Sequence, residues 1–136
     1  MKQSGSIWTA WGGLAGVQTL LPALLTEGVH KRGLSLPKLV SLTAGVPSRR
    51  LGLYPRKGVL EPRADADLAL VDLHQSWRLQ RSDLRTRWPI SPFADRTFQG
   101  RVVATFVRGT PVWEDDALRV SPGFGQPARV TVVTGV

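Results

Sequence analysis

The chain has 136 residues, 42% of them hydrophobic, enough for one ordinary core but not for a complete (β/α)8 barrel, which takes about 250 residues. It contains no cysteine, which excludes disulfides and thiolate metal sites. Eighteen Lys and Arg against ten Asp and Glu give a net charge of +8, but the cations are scattered in short groups (Arg49-Arg50, Arg56-Lys57, Arg78, Arg81, Arg85, Arg87) with no aromatic ladder and no nucleic-acid motif, so they read as solvated surface charge and no nucleic-acid partner is expected.

Residues 4–16 are rich in Gly, Ser and Trp and read as a loop. The apolar stretch from Leu14 to Leu25 is broken by Gln18 and Pro22 and followed by no small-x-small cleavage pattern. It therefore reads as part of a globular chain, expected in the cytoplasm, and not as a leader or a membrane anchor. Val17, Leu20, Leu21, Leu24 and Leu25 fall at helical spacing and predict an amphipathic helix ended by Gly28, with Pro22 forcing a kink or a late start. A second helix is predicted after Ser35 as N-cap, with Leu36, Leu39, Val40 and Thr43 on one face and Gly45 at its end. A short third helix starts at Pro47 and is closed by Gly52.

Strand signals begin only beyond this point. Lys57–Glu61 and Ala66–Leu73 are candidate strands around the turn 62–65, and Trp77–Leu79 adds a short one. Residues 80–99 carry Pro89 and Pro92 and read as a long connection. Arg101–Arg108 and Thr110–Trp113 form a predicted hairpin around Gly109, and Ala117–Val120 follows the acidic turn Glu114-Asp115-Asp116. The end of the chain holds glycines and prolines, then a β-prone run at Val130–Val133. Helices followed by strands, without alternation, argue against a self-contained parallel-sheet domain.

The two histidines, His30 and His74, lie far apart in sequence. His30 sits beside Lys31 and Arg32, whose charges disfavour a bound cation, and His74 has no second histidine at ligand spacing, so both are expected to be structural or surface residues. Asp65 and Asp67 share one face of an extended chain, as an acid/base pair would, with Asp72 nearby. The expected role is instead to fix backbone amides at a turn. No serine or threonine has a credible base, so triad chemistry is unsupported and no catalytic residue is assigned to this chain.

The run Trp11-Gly12-Gly13-Leu14-Ala15-Gly16-Val17-Gln18-Thr19, with Leu21-Pro22 and Leu24-Leu25-Thr26-Glu27-Gly28, resembles allantoinases among the cyclic amidohydrolases. So do Gly52-Leu53-Tyr54-Pro55-Arg56-Lys57-Gly58, Ala64-Asp65-Ala66-Asp67-Leu68, Pro89-Ile90-Ser91-Pro92-Phe93 and Gly100-Arg101-Val102, in the same order along about residues 1–120. The resemblance implies an α/β fragment: the last loop and helices of a (β/α)8 metal-dependent hydrolase barrel over residues 1–56, then the C-terminal strands of a small β-sandwich over 57–120, with 121–136 as a divergent tail. In such enzymes two zinc ions activate a water that opens a cyclic amide ring. Their ligands are histidines, a carboxylated lysine and an aspartate, all upstream of the matched region.

The chain by itself is therefore expected to hold no metal and no cofactor, and to be inactive alone. Gly12 and Gly13 match the loop that offers backbone groups to the substrate ring and are the candidate substrate-binding residues. A cyclic ureide is expected to bind only in a complete enzyme. Partners to be expected are a separate N-terminal half or a second copy of the chain, with no membrane partner. A stand-alone basic β-rich interaction module is the alternative reading.

Overall fold

The computed structural model describes residues 13, 15–87 and 89–130. Gly12, the tryptophans before it and most of the 130–133 run lie outside the described residues.

Helix α1 begins as an α-helix over Leu20–Ala23 and continues in wider π-type turns over Leu24–His30. It starts at Leu20 and not at Val17 because Pro22, three positions in, lacks only an N–H that has no intrahelical partner there anyway. Gly28 does not end the helix. The left-handed residue is Gly33 (φ +68°), and the Leu34 N–H closes back on the Gly28 carbonyl at 2.9 Å. Gly28 is small for another reason: a Cβ there would stand 3.1 Å from the Leu34 side chain.

The predicted second and third helices are one. Helix α2 runs through Leu36–Val40, widens over Ser41–Gly45 and continues over Val46–Arg50. Gly45 is helical (φ −63°, ψ −51°), so no cap is needed before Pro47. Pro47 cannot donate to the Thr43 carbonyl and its ring crowds it, and the widened turn just before relieves that conflict. Ser35 precedes the helix in an extended conformation, as an N-cap does, although its side chain makes no capping bond. Gly52 closes the helix as expected, with the Leu53 N–H returning to the Ser48 carbonyl at 2.8 Å.

Lys57–Glu61 is not a strand. The segment is irregular because Gly58 (φ +80°) lies against α2: a Cβ there would fall 2.3 Å from Ser48 Oγ and 2.8 Å from the Ala44 carbonyl oxygen. The sheet begins afterwards with β1 (Leu68–Arg78), which unites two predicted strands. It continues with β2 (Thr97–Val107), β3 (Thr110–Glu114) and β4 (Ala117–Leu118) in an antiparallel meander of order β1-β2-β3-β4. Both hairpin turns have two left-handed residues, Arg108-Gly109 and Asp115-Asp116, the geometry that matches strand twist. The described residues thus hold helices and one antiparallel sheet, with no second sheet layer among them.

The core sits where α1 meets the end of the sheet. Leu79, Leu84 and Phe98 are buried, with Trp77 and Phe93 ringed around Phe98 at centroid distances of 5.4 and 6.2 Å. The buried face of α1 is Pro22, Leu25 and Thr26, with Thr19 just before it, and not the full predicted stripe. Val17 is 97% and Leu20 58% exposed, and in α2 Val40 and Leu42 are exposed while Leu39 is buried.

Because the tolerance at Gly58 is limited by both φ and contact, Gly58→Ala should lose about 2–4 kcal/mol of stability. Urea unfolding of the two chains measures this, and a loss within about 0.5 kcal/mol would show that the 57–61 segment relaxes away from α2 at little cost.

Candidate functional site

Gly13, the described member of the predicted glycine pair, is exposed with φ +78°. Among the described residues a Cβ there would meet nothing within 4 Å beyond its chain neighbours, and the positive φ is the conformation that favours glycine. His30 and His74 are both exposed and lie on different elements. Among the described residues, no three His, Cys, Asp or Glu side chains come together in a group able to hold a metal ion. The described residues therefore do not fit a metal centre.

The charged side chains have specific structural employment. Glu27 accepts hydrogen bonds from Lys31 at 2.8 Å and Arg32 at 2.9 Å, and these hold its carboxyl down at about 2. Arg32 also donates to the Glu27 carbonyl at 2.6 Å near the end of α1. Asp72 Oδ1 accepts from the backbone N–H groups of His74 (2.8 Å) and Gln75 (3.2 Å), fixing the bulge in β1 where register with β2 slips between Asp72 and Ser76. That places His74 at a strand irregularity. Arg49, Arg85, Arg96, Arg101 and Arg108 each lie over an aromatic ring.

Asp65 and Asp67 do come together, around a cation. Lys57 Nζ pairs with Asp65 at 2.8 Å and with Asp67, while Asp67 Oδ1 accepts the Arg108 N–H at 2.8 Å. The Gly109 N–H reaches the Ala66 carbonyl at 2.9 Å. The start of β1 is thereby tied to the β2–β3 turn, the amide-fixing role expected of Asp67, whereas the Asp65 carboxylate faces Lys57 and Arg56 instead. Burial opposes the charge on Asp67, but the bonds from Lys57 and Arg108 outweigh it and hold the carboxyl below its ordinary 3.8. Burial also opposes the charge on Lys57, and bonding to Asp65 and Asp67 outweighs it, raising its ammonium above 10.5. Neither carboxylate is placed as a free general base. Sequence reading saw the aspartates but not Lys57 as their partner, because ten residues of irregular chain separate Lys57 from Asp67.

Residues 11–112 match the Amidohydrolase family. The chain belongs to that family. This amidohydrolase chain is 45% identical to an allantoinase of Rubrobacter xylanophilus over 131 residues, covering 95% of the chain and 29% of the relative. It is 41% identical to an L-hydantoinase of Paenarthrobacter aurescens over 120 residues, covering 88% of the chain and 26% of that protein. The solved L-hydantoinase (dihydropyrimidinase) of Arthrobacter aurescens superposes with a TM-score of 0.84 at 41% identity over 88% of the chain and 27% of that structure. A D-hydantoinase from Thermus sp. shares the fold, with a TM-score of 0.74 at 24% identity over 78% of the chain and 23% of that structure. The chain spans less than a third of the length of these relatives. Similarity over 95% of the chain also carries past Ser121.

Asp67 binds its proton more weakly in the folded than in the unfolded chain, so its stabilisation is complete above about 3.8 and is lost as pH falls through its lower native value. With the Asp67 side chain 34% exposed, Asp67→Asn should cost only on the order of 1 kcal/mol near neutral pH. That difference should shrink on acidification, which urea unfolding at about pH 7 and about pH 3 measures. An equal difference at both would place the effect in neutral hydrogen bonding.

Proposed function

We propose that this amidohydrolase chain is the C-terminal part of an allantoinase-like, metal-dependent cyclic amidohydrolase whose reaction is the hydrolytic opening of allantoin to allantoate. The observation that carries the reading is collinear similarity to an allantoinase at 45% identity over nearly the whole chain. The L-hydantoinase at 41% identity supports the shared chemical class, hydrolysis of a ring C–N bond in a cyclic ureide. In this reading the Gly12-Gly13 loop lies at the substrate ring, where a backbone free of Cβ atoms can approach closely. The zinc-holding residues belong to a part of the enzyme other than the described residues, which supply no such group. A cytoplasmic setting goes with this assignment.

The exposed apolar residues of α1 and α2, including Leu20, Val40 and Leu42, support the same reading. They are the kind of surface that a barrel-forming segment would cover. Sequence coverage of less than a third of each relative leaves room for that segment.

Activity measurements on allantoin test the proposal. The purified chain alone should be inactive. Co-expressed with the part of the Rubrobacter relative that the match leaves uncovered, it should restore hydrolysis of allantoin. Turnover by the chain alone would overturn the assignment of the metal site to another segment. No turnover in the mixture, where the relative's own C-terminal part does restore it, would overturn the allantoinase-like reading.

A further inference from the structure

Lys57 and Asp65, from the charged knot at the start of β1, line a cleft of about 550 Å³, a size that suits a small-molecule ligand. Arg56, Lys57, Asp65, Arg108 and Arg129 line it, together with the 126–128 stretch. The balance of charge is uneven: four cations line the cleft, and the carboxylates in contact with them are Asp65 and Asp67. Lys57 takes the short contacts of both carboxylates, leaving Arg56 a long 3.6 Å approach to Asp65. Arg108 spends its guanidinium on a neutral partner, donating to the Phe124 carbonyl at 3.3 Å and lying 5.1 Å over the Phe124 ring. Arg129 has no carboxylate partner among the described residues.

The wall that carries Arg129 is anchored on both sides. Phe124 sits beneath Arg108, and Val130 lies where a Cβ on Gly52 would come within 3.3 Å of it. The three lining arginines therefore come from three separate parts of the chain: the segment after α2, the β2–β3 turn and the 121–130 segment. Planar guanidinium forks bind two-oxygen faces of carboxylate and phosphate groups, and do so more strongly when several converge at a partly enclosed site.

We propose that this cleft is an anion site for a small multiply charged oxyanion, of the phosphate or dicarboxylate class, gripped by Arg56, Arg108 and Arg129. Gly13 is not among its lining residues, and the proposal does not depend on the hydrolase reading. Asp65 is part of its lining and sets a limit on affinity, since an incoming anion must settle on the arginine side of the cleft.

Calorimetric titration of the full chain with inorganic phosphate, and separately with succinate, tests the proposal and distinguishes the two ligand sources. At least one should bind with saturation in the millimolar range or tighter. Arg129→Gln removes a guanidinium that has no carboxylate partner among the described residues, and should weaken binding about tenfold. Arg108→Gln should weaken it comparably. Arg81→Gln removes the same charge from outside the cleft and should change affinity by less than about twofold. Saturable binding that Arg129→Gln and Arg108→Gln weaken and Arg81→Gln spares establishes the site. Absence of saturable binding by both anions, or equal weakening by all three substitutions, overturns it.

Discussion

The joint between α1 and the second strand is the contact on which the arrangement of helix and sheet depends. Gln99 N–H donates to Thr26 Oγ1 at 2.9 Å, and that hydroxyl also lies 2.8 Å from the Pro22 carbonyl within the helix. Leu25, beside it, is 1% exposed and packs on Gly100, where a Cβ would stand 3.1 Å from the leucine side chain. A helix meeting a strand this closely needs a polar group that satisfies the strand amide and a residue small enough to admit the helix. Thr26 and Gly100 meet those two needs. From there the contact spreads: Trp77 Nε1 donates to the Gly100 carbonyl at 3.0 Å, Gln99 bonds the bulge carbonyls of Leu73 and His74, and the Phe98 cluster closes beneath.

Electrostatics play a second, more local part. Most of the charge that gives the chain its +8 is engaged with aromatic rings, helix ends and turns, and not gathered into one stripe. Arg101 with Asp116 at 2.6 Å and Arg119 with Asp115 at 2.7 Å brace the last hairpin, as Glu27 braces the end of α1. Such exposed pairs add little stability individually. The Lys57 cluster differs because it is more enclosed and joins segments that are distant in sequence, and because Arg56, Arg108 and Arg129 line the same cleft.

The distribution of apolar surface fits the family relationship. Among the described residues the fully buried side chains are Leu25, Leu79 and Thr19, and they lie beside helices that leave Leu20, Val40 and Leu42 exposed. Membership of the amidohydrolase family, with matches to less than a third of each relative, gives those surfaces a physical context.

Several features followed from the sequence alone. The family was legible because glycines, prolines and the Asp-Ala-Asp-Leu turn kept their order over many residues. Both hairpin turns were legible because left-handed pairs demand particular residues over a span of two positions. The helix limits were not. Gly28 and Gly45 read as stops, yet they are small because Leu34 packs over one and Arg49 and Gly58 approach the other, contacts that no local pattern records. The supposed strand at Lys57–Glu61 failed for the same reason, since Gly58 is held against Ser48 by tertiary packing. Which face of α1 is buried also had to await the fold: Leu20 and Leu21 fit the periodicity as well as Leu25 does, but the sheet touches the helix along Pro22, Leu25 and Thr26. Sequence determines what a segment can form from its own neighbours, whereas the meaning of a glycine or a leucine depends on what the folded chain brings against it.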